Sequence, residues 1–558
     1  MNKYSLWMAA LGMGLGLLIA PQHAQARTLF LVGGGMQSCA SQNLKACERG
    51  ALDPLALRQS RTQLKVALTP AALDRATGTE HWPSAEAARQ ARRHLATVAE
   101  AQGSDPISKA DFTDALRDSE AGEQWYQGLS DAQWYTLVDR LEAIQTDRYG
   151  QRLEERVFLE ANRDPHTPEL VNRFAALAAQ AGGKTQPGKH PVLVVMTSSA
   201  RDPFEARDFY QGLFASTGAE VHWLPLDASV QSARRAHECR NLERHRQQVQ
   251  GNADRARVYP QLAAAQQQLC IQPQSGLDLL ARADGLFING GDQWLTWQAL
   301  RAPDGTPSDE LTLIARRVAE GRLVVGGTSA GTAVQAGPVM ITNGSNASAL
   351  LTGPTAAPPP ARDCDGSAAC RGLQGDSLTY EPLGGLGLFE SGITDTHFTE
   401  RGRQLRLARL AAHSGQALAV GVDENTALIV QSERWQVLGQ AGVWVWQTPG
   451  TTHYLQPGDE AQWRDGTLSV ALANPIKEGH HDENAPLVRA LSLENADYRR
   501  LADALCQSTQ QQTLGQITLG ERRFGALLTV NEESEFGRGP SGHCSYKNLS
   551  LKVGAVGE

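Results

Sequence analysis

The sequence predicts an α/β fold, doubly wound around a mostly parallel sheet, with a large helical insertion and a β-rich C-terminal part. Three observations predict it. Short apolar runs rich in β-branched residues each end in a small-residue or glycine-rich turn. Helical patterns separate these runs, as they do where parallel strands are buried on both faces. Beyond about residue 415 the pattern changes to short strands alternating with turn residues.

The first run is Thr28-Leu29-Phe30-Leu31-Val32, which enters Gly33-Gly34-Gly35. The next is Pro191 to Met196, ending at Thr197-Ser198-Ser199-Ala200, followed by Glu220 to Leu224, Gly285 to Ile288 and Leu323 to Val325. Helices are expected over Phe204 to Thr217 and Asp309 to Glu320. Two stretches break this rhythm. Residues from about 50 to 185 read as helix after helix, with aromatics such as Trp125 and Trp134. Residues from about 230 to 275 are rich in Gln and Arg, lie around Cys239 and Cys270, and predict a stapled helical hairpin. Gly353 to Cys370, with Pro358-Pro359-Pro360, reads as a surface loop. The runs Ala417 to Val422, Thr426 to Gln431, Trp435 to Leu438 and Val443 to Gln447 predict one antiparallel meander, and Asn495 to Gln507 a late helix. The domain reading is a leader over 1–26, an α/β domain over 27–480 carrying both insertions, and a C-terminal extension over 481–558.

The chain has 558 residues, 41% hydrophobic and 20% charged, with a formal charge of −8. That balance argues against nucleic acid or an anionic membrane as the main partner, because both call for concentrated positive charge. Lys3, an apolar stretch from Leu6 to Ala20 and Ala24-Gln25-Ala26 have the form of a cleavable secretory signal. We expect cleavage after Ala26 and an exported protein, periplasmic or secreted, with no membrane association after cleavage. Export changes the reading of the eight cysteines. They fall into neighbouring pairs, and the expected disulfides are 39–47, 239–270, 364–370 and 506–544. No C-x-x-C or H-E-x-x-H pattern occurs, and neither a metal nor a cofactor is expected. His480-His481-Asp482 reads as a polar loop.

Four segments carry chemistry. Gly326-Gly327-Thr328-Ser329-Ala330-Gly331 follows a strand and precedes a helical stretch. A serine between small residues on such a turn is the nucleophile-elbow arrangement, and the Ala330 N–H at the helix start can donate to an oxyanion. A phosphate-cradling turn would look similar, but no Lys follows the glycines. Asn289-Gly290-Gly291-Asp292-Gln293 also ends a buried strand. Gly290 and Gly291 each offer a second oxyanion N–H, and Gln293 can orient a substrate. Asp395-Thr396-His397 leads into Arg401, Arg403 and Arg406, a base backed by cations suited to a carboxylate-bearing substrate. The bland reading of that segment is a solvated basic helix face. Val422-Asp423-Glu424-Asn425 places an acid between two strands, and on chemistry alone Asp423 and Glu424 both qualify to orient an imidazole.

In this order and spacing, the four segments resemble the cyanophycinase-like serine peptidases, over a little under half the chain. The resemblance implies a fold like that of class I glutamine amidotransferases and a triad of Ser329, His397 and Glu424. It also implies that Gln293, Asp292, Asp395, Arg401, Arg403 and Arg406 shape a pocket for an aspartyl residue bearing a β-linked arginine. The family's substrate is cyanophycin, released as β-Asp-Arg dipeptides. This chain has Thr396 where the family commonly has Gln, and no Lys within Trp294-Leu295-Thr296-Trp297. Other aspartyl or isoaspartyl peptides are the nearest alternative substrates. A non-catalytic secreted binding protein and an amidotransferase are the further alternatives; the latter chemistry usually needs a cysteine nucleophile. A homodimer is compatible with the sequence.

Overall fold

A computed structural model describes residues 27–103, 105–476, 488–492 and 495–556. The secretory-signal reading and His480-His481-Asp482 lie outside these residues.

The predicted apolar runs become five parallel strands: Thr28–Val32, Val192–Met196, Glu220–Leu224, Gly285–Ile288 and Val324–Thr328. The apolar character of the inner strands follows from burial on both faces, whereas Glu220–Leu224, at the sheet's edge, carries Glu220 and His222 partly open to solvent. Leu29, Leu31, Val194, Met196, Leu286, Ile288 and Val325 face one core; Phe30, Val32, Leu193, Val195, Phe287 and Val324 face another. Four antiparallel strands extend the sheet to nine, beginning with Thr426–Gln431 beside Thr28–Val32. The fold is thus a mixed α/β structure with a large, partly parallel sheet and a β-rich C-terminal part.

The expected single meander is corrected. Its strands are antiparallel but alternate between two sheets. Thr426–Gln431 and Arg434–Gly439 extend the first sheet. Leu418–Val422 and Val443–Gln447 belong to a second, also nine-stranded, beside Ile393–Thr396. The switches come where the backbone turns left-handed, at Asn425 (φ 50°) and Gly439 (φ 113°). Period-two patterning shows that a segment is a strand and leaves open which sheet it joins. Residues 488–492 and 495–556 complete the second sheet: Cys544–Ala555 pairs with Thr451–Leu455, and helix Asp497–Cys506 packs Tyr498, Leu501 and Leu505 into its core.

Within the stretch 50–185, residues from Val66 to Leu141 gather around a hydrophobic core of their own. Helix His166–Ala181 instead lays Leu170, Phe174 and Leu177 on the parallel sheet. Between 230 and 275 the chain forms several short helices rather than one hairpin. Cys239, in the turn Cys239–Asn241 that follows helix Ala228–Ala236, is bonded to Cys270 in helix Pro260–Ile271. The remaining disulfides are Cys39–Cys47, Cys364–Cys370 and Cys506–Cys544.

A buried ionic cluster fixes the helical insertion to the rest. Arg255 donates to Glu142 at 2.7 Å and to Asp202 at 2.9 Å. Arg201 grips Asp139 through two bonds of 2.8 and 2.9 Å, and Arg61 reaches both Glu142 and the Tyr259 hydroxyl. Arg255 and Asp139 are each 1% exposed, so every charge there depends on its partners. Arg255→Met would leave buried Asp202 without its guanidinium and Glu142 with Arg61 alone, and we expect it to cost about 3–5 kcal/mol in equilibrium urea unfolding. A change within error of wild type would show that the cluster does not hold the insertion in place.

Candidate active site

Ser329 sits where strand Val324–Thr328 meets the short helix Ala330–Ala333. Its backbone is held at φ 53°, ψ −117°, a region that costs a non-glycine residue on the order of 1–3 kcal/mol. Close packing sustains the strain. A Cβ on Gly331 would lie 2.2 Å from the Ile288 carbonyl oxygen. Thr332 Oγ1 is 2.7 Å from the carbonyls of both Val32 and Gly327, tying the elbow to two neighbouring strands.

His397 Nε2 lies 2.8 Å from Ser329 Oγ, and His397 Nδ1 lies 2.6 Å from Glu424 Oε1. Three segments meet here: the first-sheet elbow, the end of strand Ile393–Thr396 in the second sheet, and the crossing between the sheets at 423–425. The glycine run after the opening strand makes the meeting sterically possible. A Cβ on Gly34 would fall 2.4 Å from His397 Cε1, and one on Gly35 would fall 2.7 Å from Glu424 Cβ. The run also supplies backbone ties, with His397 N–H donating to the Gly33 carbonyl and Asn425 N–H to the Gly34 carbonyl, both at 2.8 Å. The hydrogen bond from His397 holds the Glu424 carboxyl below its usual range. A hydroxyl, an imidazole and a carboxylate in this line can make the hydroxyl a nucleophile.

Of the two candidate acids in the crossing, Glu424 meets the imidazole. Asp423 is buried and turned elsewhere, accepting from the Thr399 N–H at 2.8 Å and the Tyr454 hydroxyl at 2.7 Å. The Gly290 N–H donates to the Tyr210 hydroxyl at 3.2 Å. Gly291 stands at φ 141°, where a Cβ would be 2.1 Å from the Ser199 carbonyl oxygen, so no larger residue fits.

A cavity of about 1040 Å³ opens over Ser329. Gly291, Asp292, Gln293, Ala330, Asp395, Arg401, Arg403 and Arg406 all line it, as do Thr396 and His397. Neither Trp294 nor Trp297 does. Two carboxylates among these residues are already engaged. Asp292 caps helix Gln293–Leu300 by accepting from the Trp294 N–H. Asp395, 1% exposed, takes two bonds from Arg406 (2.7 and 2.9 Å) and one from Arg403 (3.3 Å). Burial alone would raise the Asp395 carboxyl, but the two guanidiniums bring it below its usual range. One carboxylate cannot neutralise two arginines. Burial and the neighbouring Arg406 charge therefore push Arg403 down to about 9. Exposed Arg401 adds a further positive charge to this wall. Gln293 is tethered through Nε2 to the carbonyls of Ile341 and Thr342.

Sequence reasoning missed several contributors. The triglycine run marked a strand end, and its closeness to His397 and Glu424 needed the sheet order. The helical insertion contributes Leu129 to Ala132 to the cavity wall, and the proline-rich loop contributes Pro359 to Asp363. Arg362 and Asp131 approach to 3.5 Å between these two walls. Among the described residues, no three His, Cys, Asp or Glu side chains gather as a metal site would require.

Asp395→Asn leaves two guanidiniums in the wall without their carboxylate. Because its folded-state pKa is depressed, the Asp395 contribution is present above about pH 4 and lost as pH falls through the lowered value. Urea midpoints measured from pH 7 to pH 3 should fall more steeply for wild type than for Asp395→Asn. Parallel curves would contradict the ion-pair account.

No family model matches the chain. It is similar to several curated cyanophycinases. The cyanophycinase of Trichormus variabilis is 27% identical over 294 residues, 52% of this chain and 86% of that protein. That of Geminocystis herdmanii is 26% identical over 279 residues, 50% and 74% respectively. A third, from Synechococcus elongatus, is 33% identical over 165 residues, 29% and 42% respectively.

Proposed function

We propose, since the chain belongs to the cyanophycinase-like peptidases, that it is a serine-type peptidase cleaving the arginylated polyaspartate cyanophycin to β-Asp-Arg dipeptides. The observation that carries the reading is the hydrogen-bonded line from Ser329 through His397 to Glu424 at the floor of a cationic cleft. In this proposal Ser329 Oγ attacks a backbone amide carbonyl carbon while His397 Nε2 takes its proton. Glu424 keeps the imidazole in the right tautomer and stabilises the imidazolium. The N–H groups of Ala330 and Gly291 receive the oxyanion, each worth on the order of 10²–10³ in rate. Gly290, whose N–H is bonded to Tyr210, instead shapes the turn. His397 then protonates the departing amine, and the acyl-serine ester is hydrolysed by water with His397 again as base.

The arginine wall supports an acidic substrate. Its surplus positive charge is balanced once a substrate carboxylate sits against Arg401 and Arg403. Asp395, in this reading, aligns the arginines and does not itself touch substrate; Asp292 likewise holds the helix that presents Gln293. The lysine missing after Asp292-Gln293 has little bearing on the pocket, since Trp294 and Trp297 lie outside the cleft lining, whereas Thr396 lines it. Other aspartyl peptides remain the second reading, favoured by Thr396.

The same proposal takes the parallel sheet as the class I glutamine amidotransferase-like core, with the helical insertion as a cleft wall. It places the protein outside the cytoplasm, as the N-terminal pattern and four disulfides favour. Among the described residues no helix is long and apolar enough to cross a membrane.

Incubating the purified protein with insoluble cyanophycin and following β-Asp-Arg release tests the substrate and the nucleophile together. Ser329→Ala should lose activity by a factor on the order of 10⁶. Equal release by both proteins would remove Ser329 from the mechanism, and release by neither would remove cyanophycin. Gly34→Ala makes a sharper geometric test. Its Cβ would push the imidazole aside, and a displacement of about 1 Å costs on the order of 10²-fold in rate. Wild-type turnover by this variant would contradict the placement of His397.

A further inference from the structure

The two turns that carry His397 and Glu424 hold each other by reciprocal bonds. From one side, the Thr399 N–H donates to Asp423 Oδ1 at 2.8 Å. From the other, the Glu424 N–H donates to Glu400 Oε2 at 3.1 Å. Between these bonds runs the 2.6 Å contact of His397 Nδ1 with Glu424 Oε1. Asp423 is anchored further back by Tyr454 of the second sheet. Glu400 holds the main chain of Glu424 itself.

We propose that Glu400 is a positioning residue: its carboxyl fixes the Glu424 backbone, and so the placement of the Glu424 carboxylate against His397. The inference rests on the reading of Ser329, His397 and Glu424 as the triad. The local backbone explains the need for such a tether. Glu424 lies between the buried Asp423 and the left-handed Asn425, in the crossing between two sheets, where no strand ladder fixes its amide. A carboxyl group suits the position if it offers an acceptor oxygen without adding a second full negative charge beside Glu424. Burial and the neighbouring Asp423 charge push Glu400 up to about 7, while His397 draws Glu424 down. The two carboxyls are thus driven toward different protonation states, as in sites where paired acids take different roles.

The test uses the full chain and reads the rate at which a fluorophosphonate probe phosphonylates Ser329 with loss of fluoride, so it does not depend on cyanophycin. Glu400→Gln keeps an acceptor oxygen and should label at close to the wild-type rate. Glu400→Ala removes it and should slow labelling on the order of 10–100-fold. Glu400→Leu, which keeps the bulk, replaces it if the alanine variant does not fold. In a Glu424→Ala background, removing the Glu400 carboxyl should add no further loss, because the residue acts only through Glu424. Wild-type labelling by Glu400→Ala, or the same added loss in both backgrounds, would overturn the proposal. A wild-type chain whose Ser329 takes no label would overturn the triad reading, and the inference with it.

Discussion

The candidate active site depends on a close approach that side chains at three positions would forbid. Gly33, Gly34 and Gly35 end the opening strand directly against the turns carrying Asp423, His397 and Glu424; a Cβ on Gly33 would lie 2.0 Å from the Asp423 carbonyl oxygen. Their bare backbone lets the second sheet close on the first, and their carbonyls accept the amides of His397 and Asn425. The Ser329 elbow belongs to the first sheet, His397 to the second, and Glu424 to the chain passing between them. Without that contact the three residues would be distributed over two surfaces. With it, a strained serine and a hydrogen-bonded imidazole face one cleft.

Much of this was legible in the sequence because local rules govern it. Doubly buried strands read as continuous apolar runs, and the Ser329 turn announced itself through small residues between strand and helix. The choice between Asp423 and Glu424 was not local. Adjacent residues in a turn point opposite ways, and only the positions of Thr399 and Tyr454 show that Asp423 faces the second sheet. The division of the late strands between two sheets was hidden for the same reason. Leu418–Val422, Thr426–Gln431 and Val443–Gln447 are buried almost throughout whichever sheet they join, and the switch rests on left-handed Asn425, where the sequence pattern predicts only a turn. The arginine segment resembled a solvated helix face, yet Arg406 is buried and paired with Asp395 because the helix Gln404–Ser414 packs onto strand Leu418–Val422, the neighbour of the strand that carries Asp395.

The additions to the core are structurally engaged rather than peripheral. The helical insertion is bound through the Arg255–Glu142–Asp202 cluster, and it carries Leu129 to Ala132 into the cleft wall. Isolated surface ion pairs contribute little, but buried ones that satisfy one another cannot be broken singly without cost. The C-terminal strands lie in the same sheet as strand Ile393–Thr396 and the Tyr454 that holds Asp423. Both additions therefore bear on the geometry of the same few residues.

In the proposed mechanism Ser329 becomes covalently acylated during turnover. The most direct measurement is to quench the enzyme in acid while it is hydrolysing cyanophycin, then map its peptides by mass spectrometry. An acyl mass is expected on the peptide containing Ser329, absent from Ser329→Ala. Sustained hydrolysis with no ester on Ser329, or with the acyl group on another residue, would contradict it.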